Sequence, residues 1–194
     1  MNPITHLLLS WGVANSVPGG RRERAAVTLA GLVPDLDGLG AVAELATRGS
    51  ARPLAWYSEY HHVLTHNVLG AVAVAAACAA VARRRLAAAL GGLAAFHLHL
   101  LGDLLGSQGP DGSQWEIYYL WPFTRAWPWS SALQWRLDAW PNVLITTLAL
   151  ALAFYLAWRR GFSPLELLSR RADAALVATL RRRFPRGAAP ARPG

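Results

Sequence analysis

The chain has 194 residues, 54% of them hydrophobic, and its 19 basic residues, all arginine, outweigh 11 acidic ones to give a net charge of +8. That length suits one domain with a tail, and the single Cys78 excludes a disulfide framework and a thiolate metal site. The basic excess suits an anionic membrane face or a nucleic-acid surface, although arginine without lysine also follows from high-GC codon usage.

In chain order, residues 4–17 read as a first helix, ended by Ser16, Pro18, Gly19 and Gly20. No cleavable signal is expected there, because the start is not basic and His6 comes too early. Arg21, Arg22 and Arg24 precede a second apolar stretch, 25–33, which stops at Pro34. Asp35 and Asp37 then sit in a segment read as extended or turning. In extended backbone residues i and i+2 point the same way, so both carboxylates are expected at one centre, where a cation relieves their repulsion. Three uncharged runs of 15–17 residues follow: 68–82, stopped by Arg83, Arg84 and Arg85; 86–102, carrying only His97 and His99; and 142–158, closed by Arg159 and Arg160. Each falls slightly short of the ~20 residues that span a bilayer comfortably. Three such runs with arginine stops nevertheless favour membrane helices over buried helices of a soluble bundle. Cys78 lies inside the first run as a small core residue.

The connection 107–141 holds six of the nine tryptophans, which suits the headgroup level of a bilayer or an aromatic cap, and only a short run such as 115–120 is a strand candidate. Ser163, Pro164 and Glu166 mark a helix start. Leucines and alanines at helical spacing opposite Arg170, Arg171 and Arg181 to Arg183 predict a basic amphipathic helix on the inner leaflet. The expected architecture is all-α, a multi-helix integral membrane bundle with a metal site at one end plus this C-terminal amphipathic helix. Its parts are a membrane-embedded metal-binding domain over 1–160, the basic helix over 161–184 and a disordered tail over 185–194.

All six histidines fall in short segments beside threonines or acids: Thr5-His6, His61-His62, Thr65-His66, and His97, His99 with Asp103. Imidazole and carboxylate are the ligands of zinc and similar divalent ions. His99 and Asp103 are four apart and share a helix face, and inside a membrane helix such groups need a partner. A His–Asp hydrogen bond between helices is the plainer alternative. His97 faces elsewhere and reads as a packing or supporting residue. Thr65 reads as the N-cap of the helix that follows. Helix periodicity favours His62 with His66, while a loop leaves His61 open. If the chain crosses at each apolar run, Arg21 to Arg24, Arg83 to Arg85 and Arg159 to Arg160 all lie in the cytoplasm. The candidate ligands then gather at the opposite end, facing the periplasm or exterior.

Met1 to His6, the Pro34-Asp35-Leu36-Asp37 turn, His61 to His66 and His99 to Asp103 together resemble the YdjM family, bacterial inner-membrane proteins described as LexA-binding and as metal-dependent hydrolases. Trp121-Pro122-Phe123-Thr124 resembles a further family motif, so the likeness covers roughly residues 1–125. The resemblance implies His6, Asp35, Asp37, His61, His66, His99 and Asp103 as metal-site residues. The family usually has Arg-Gly where this chain has His62-Val63, which leaves His61 and His62 in competition. The His/Asp set is also similar in kind to zinc-dependent phospholipase C and P1-type nucleases, which implies phosphoester substrates.

The expected function is hydrolysis by metal-activated water. Seven candidates exceed the three protein ligands of one catalytic zinc, so two or more divalent ions, zinc foremost, are expected. Asp35 or Asp103 would bridge ions and orient water, with Glu59 and Tyr60 in reach for proton transfer and Arg125 and Arg136 for phosphate. The expected partners are membrane lipids, with a phospholipid or lipid-linked phosphate as substrate and a regulatory protein at the basic tail; nucleic acid is not expected. The rival is a non-enzymatic membrane protein with a structural metal. A metal transporter would need polar residues through the whole span, which 68–82 and 142–158 lack apart from Thr146 and Thr147.

Overall fold

The computed structural model describes residues 1–109 and 111–185. Among these the chain is helical, with no strand and only isolated bridges at Gln108–Arg136 and Ile117–Trp129. The α-helices are α1 (Pro3–Ala14), α2 (Arg21–Ala30), α3 (Gly40–Thr47), α4 (Trp56–Tyr60), α5 (Val68–Val81), α6 (Arg85–Gly106), α7 (Trp140–Arg160) and α8 (Arg170–Arg183). Short 3-10 helices cover Pro34–Leu39 and Pro164–Leu167.

Local chemistry sets the helix starts. Asn2 accepts from Thr5 N at 2.9 Å with Pro3 in the first turn of α1, and Asn67 accepts from Gly70 N at 3.0 Å to open α5. The cap of α5 is therefore Asn67 and not Thr65, whose hydroxyl donates to Pro34 O instead. Glu23 accepts from Gly20 N at 2.8 Å and from Arg83 N at 3.0 Å, tying the α1–α2 turn to the α5–α6 turn at the arginine end.

Helix α6 is the axis of the fold and packs against α1, α2 and α5. Its buried face carries Ala88, Gly91, Gly92 and Ala95, which lets neighbouring helices approach closely. A Cβ on Gly91 would meet Val17 Cγ2 at 2.4 Å, and one on Gly92 would meet Cys78 Sγ at 2.7 Å. Val74, Cys78, Phe96, Leu100 and Ile117 form the core at this contact. The last carbonyls of α6, which have no partner inside the helix, are taken from outside. Gln134 Nε2 donates to Asp103 O at 2.9 Å, Trp135 N to Leu105 O at 2.7 Å, and Asn142 Nδ2 to Gly106 O at 2.9 Å. The aromatic connection is thus fastened to the end of the helix that carries His99 and Asp103.

Among the described residues two helices are long and apolar enough to cross a membrane, α6 with 22 residues and α7 with 21. The bent pair Arg21–Ala30 and Pro34–Thr47, with 59° between its halves, makes a third if counted as one span. The apolar run expected over 86–102 continues through Asp103 to Gly106, because Gln134 and its neighbours satisfy the exposed carbonyls. Helix α5, at 14 residues, is about 21 Å long at 1.5 Å per residue, less than the ~30 Å hydrocarbon layer.

The chain divides into two compact units, Met1–Ala149 and Leu150–Gly194, with the boundary within α7. In the second unit the single helix expected over 161–184 is broken. Ser163 Oγ accepts from Leu165 N at 3.3 Å and donates to Asp173 Oδ1 at 2.7 Å, which holds a 3-10 turn. Ser169 then starts α8 by accepting from Ala172 N at 3.2 Å. A second serine cap competes with continuation of the first helix. In α8 Val177 is buried, while Arg170, Arg171, Arg181, Arg182 and Arg183 are exposed. The tail expected over 185–194 lies, from 186 onward, outside the described residues.

Candidate metal centre

Four segments deliver the site. Helix α1 brings His6, the 3-10 helix Pro34–Leu39 brings Asp35 and Asp37, the α4–α5 connection brings His61, His62 and His66, and α6 brings His99 and Asp103. Asp103 is the hub and is 2% exposed. Its Oδ1 accepts from Ser107 Oγ at 2.7 Å, lies 3.2 Å from His6 Nε2 and pairs with the Met1 amine. Its Oδ2 faces His99 Nε2 at 2.9 Å, His66 Nε2 at 3.5 Å and His62 Nε2 at 3.9 Å. Asp35 Oδ1 closes the group, 3.6 Å from His99 Nε2.

One ligand atom each from Asp35, His66, His99 and Asp103 lies within 4.8 Å of the others. A tetrahedral zinc shell with bonds of about 2.0–2.1 Å sets its ligand atoms about 3.3 Å apart, so the spacing fits an ion at the middle. Hydrogen bonding points the same way. His99 Nδ1 donates to Gly31 O at 2.8 Å, and Asp37 accepts His61 Nδ1 at 2.7 Å and His66 Nδ1 at 3.0 Å. Those bonds leave His66 Nε2 and His99 Nε2 buried without a hydrogen bond, alongside Asp103 Oδ2 and Asp35 Oδ2. His99 Nε2 and His66 Nε2 crowd Asp103 Oδ2 at 2.9 and 3.5 Å without a well-aligned hydrogen bond, and buried polar atoms gathered in this way are costly unless something binds them. A cation is the partner that suits two imidazole lone pairs and two carboxylates together.

Asp37, His61 and His66 form a second group with ligand spacing. The expectation that Asp35 and Asp37 reach one centre is corrected. Residues 34–39 wind as a 3-10 helix of about three residues per turn, so i and i+2 diverge. Asp35 joins His99 and Asp103, while Asp37 turns to His61 and His66. His66 is the shared member. Burial alone would lower its imidazole, but Asp103 and Asp37 outweigh that and raise it to about 9.

The structure separates the remaining candidates. His6 is buried, bonds Asp103 and stacks on His99 with centroids 3.6 Å apart. His61 belongs to the second group and His62 to neither, although His62 is 3% exposed and its Nδ1 lacks a partner. Burial, then the neighbouring His66, holds its imidazole well below the ordinary value. Its φ of 66° places it in the left-handed region, uncommon outside glycine. His97 donates through Nδ1 to Leu93 O at 2.8 Å and accepts Tyr119 OH on Nε2 at 2.8 Å, outside both groups. Tyr119 stacks on Trp129 at 4.2 Å, so His97 pins the aromatic connection to α6.

A cleft of about 750 Å³ opens onto Asp35, His61, His62 and Asp103, with Pro3, Leu39 and Leu137 as apolar wall. A second pocket of about 450 Å³ shares Tyr57, His61, His62 and Trp115 with it. Glu59 is exposed and lines this second pocket, not the cleft that holds Asp103; Tyr60 lines neither. Arg136 lines the cleft but pairs with Asp138 at 2.9 Å, and Arg125 lies in the second pocket over the Tyr118 ring at 5.7 Å. Tyr57 went unnoticed in the sequence. Its ring stacks on His61 at 4.6 Å, and burial, then the charges of Asp35, Asp103 and Asp37, pushes its phenol up to about 12, so it stays a hydrogen-bond donor. Gln134 was also missed. It accepts from Trp115 N at 2.9 Å while donating to Asp103 O at 2.9 Å, and no sequence pattern marks a glutamine that reads a distant backbone.

The family model for the YdjM inner membrane protein matches residues 1–172, a span that contains every residue of both ligand groups. No curated protein and no solved structure matches the chain.

Proposed function

The chain belongs to the YdjM inner membrane protein family, and we propose that it is a metal-dependent hydrolase acting at the membrane on a phosphoester such as a phospholipid or lipid-linked phosphate. One observation carries the reading: one ligand atom each of Asp35, His66, His99 and Asp103 lies within 4.8 Å of the others, and His66 Nε2, His99 Nε2 and Asp103 Oδ2 are buried there without hydrogen bonds. Asp35, His66, His99 and Asp103 would hold the ion, and zinc suits this donor set. When bound, such an ion supplies Lewis acidity and acidifies water enough to attack near neutral pH.

The chain's own residues have distinct tasks. Asp37, through two Nδ1 atoms, turns His61 and His66; Gly31 O does the same for His99. Carboxylate or carbonyl partners behind metal-binding imidazoles fix the ring and tautomer in this way. Asp37 is on this reading an orienting residue, although the second group leaves room for a further ion. Asp35, with its side chain 22% exposed at the cleft, is the member a substrate can approach. Tyr57 keeps its proton and can donate to an ester oxygen. In the reaction the oxygen of water joins phosphorus, the bond to one alcohol breaks, and that alkoxide takes the proton, leaving a phosphomonoester. The proposed topology is multi-pass, with Arg21 to Arg24, Arg83 to Arg85 and Arg159 to Arg160 in the cytoplasm and the metal centre facing the periplasm.

Metal analysis of the purified chain, with phosphodiesterase and phospholipase assays of the wild type and Asp103→Ala, tests the reading. Stoichiometric zinc and hydrolysis in the wild type, both lost in Asp103→Ala, are expected. Protein that holds no metal and takes up none on titration sinks it. Tight metal without any hydrolysis would instead assign the ion a structural role.

A further inference from the structure

The second pocket has a chemistry that the metal centre does not use. Its walls are three aromatic rings, Tyr57, Trp115 and Tyr118, with two carboxylates, Glu59 and Glu116, and one guanidinium, Arg125. Arg125 already rests over the Tyr118 ring at 5.7 Å, and Tyr118 OH donates to Glu116 Oε2 at 3.0 Å. The face of Tyr118 thus accepts a cation within the chain itself. With that guanidinium placed, the carboxylates leave the pocket a net negative charge beside aromatic faces, the environment that suits an alkylammonium group and repels an anion.

The position of the pocket says how such a group would arrive. Tyr57, His61, His62 and Trp115 form the wall it shares with the cleft that opens on Asp35 and Asp103. Trp115 stands edge-on to His61 at 5.3 Å and to His62 at 5.2 Å. His62, 3% exposed with an unpartnered Nδ1, lines both chambers. A buried imidazole whose Nδ1 has no protein partner, lying between two cavities, is placed to meet a ligand that spans them. Across this wall the cleft offers Pro3, Leu39 and Leu137, an apolar surface.

We propose that the second pocket is a head-group subsite for an alkylammonium, so that the preferred substrate is a zwitterionic phosphoester of the ethanolamine type, its phosphate at the metal centre and its apolar part in the cleft. This rests on the hydrolase reading above for the cleavage but not for the binding.

The zinc-loaded full chain is compared, in mixed micelles, on phosphatidylethanolamine and phosphatidylglycerol of identical acyl chains. Binding of soluble phosphoethanolamine and of inorganic phosphate is measured by calorimetry in parallel. Phosphatidylethanolamine is expected to be cleaved at least tenfold more efficiently than phosphatidylglycerol. Phosphoethanolamine should bind at least tenfold tighter than phosphate. The Glu59→Gln/Glu116→Gln chain should lose most of both preferences while keeping its zinc. Equal or reversed lipid preference in the wild type overturns the subsite, as does a preference that the double variant retains. Selective phosphoethanolamine binding without cleavage of either lipid upholds the subsite and fails the hydrolase reading instead. Cleavage of phosphoethanolamine but of neither lipid upholds the ammonium subsite and assigns its ligand to a soluble phosphoester. Because Glu59 and Glu116 are exposed, their substitution should leave folding intact, and the wild-type comparison decides the matter if it does not.

Discussion

Asp37 holds His66 by its Nδ1 at 3.0 Å, and the opposite nitrogen of the same ring stands 3.5 Å from Asp103. The imidazole is a rigid bar between two carboxylates, one fixing it and one sharing its outer atom with the proposed ion. Asp37→Asn keeps the shape but removes the charge and one of the two acceptors that His61 and His66 need. Zinc affinity should fall by about 10- to 100-fold, read by competition with a chromogenic chelator. A variant that binds zinc as tightly as the wild type would show that Asp37 orients nothing.

The same pair predicts a pH dependence. His66 rises to about 9 from an ordinary 6.5 in the metal-free chain. A folded value above the unfolded one means that its stabilising contribution is whole below pH 6.5 and is lost as pH climbs through 9. Metal-free protein should therefore melt at a lower temperature above pH 9 than at pH 6.5. Zinc must displace that proton, so about one proton should be released per ion from this residue near neutral pH, and affinity should rise about tenfold per pH unit toward 9. Calorimetry in buffers of different ionisation enthalpy counts the protons. Affinity that is flat with pH would remove His66 from the ligand set.

Gln134 fastens the aromatic connection to the metal-bearing helix, with Oε1 on Trp115 N and Nε2 on Asp103 O, both at 2.9 Å. It is 6% exposed, so truncation strands one buried backbone carbonyl and one half-buried backbone N–H. Gln134→Ala should cost about 1–3 kcal/mol. For a chain of this size that lowers Tm by about 2–4 °C per kcal/mol. It should also raise KM more than it weakens zinc binding, because Trp115 moves while His66 and His99 keep their holders. Unchanged KM with lowered zinc affinity would reverse that division of labour.

Much of the centre was legible because its constraints are local. His99 and Asp103 sit one helical turn apart, and histidines confined to three segments mark those segments as neighbours. The choice between His61 and His62 was not legible. It turns on a left-handed backbone at His62 and on Asp37 24 residues from His61, neither of which spacing encodes. Asp35 and Asp37 were misjudged for a related reason. Proline at 34 reads equally as a turn or as extended chain, and the 3-10 winding that parts the carboxylates is stabilised by distant partners: Thr65 on Pro34 O and His61 and His66 on Asp37. The helical bundle was readable from apolar runs. The extent of α6 was not, since the groups that cap its end lie about 30 residues further on, at Gln134, Trp135 and Asn142.

Gly31 links that packing to the metal centre. Its carbonyl accepts His99 Nδ1 at 2.8 Å, while a Cβ at this position would fall 1.8 Å from Ser10 Oγ and 2.7 Å from Ser10 Cβ. Ser10 is buried on α1, so the side chain has nowhere to retreat and α2 must shift, taking the carbonyl with it. Gly31→Ala should therefore cost about 1–3 kcal/mol by overpacking and also weaken zinc binding, although alanine never touches the ion. Adding Ser10→Ala removes only the hydroxyl contact and should restore part of both losses. Adding Ser10→Gly removes both contacts and should restore zinc affinity most fully, while glycine within α1 costs about 1 kcal/mol of helix stability. Thermal melts and zinc titrations on the four chains separate the two effects. If Gly31→Ala loses stability but keeps full zinc affinity, the α1–α2 contact does not set the angle of His99.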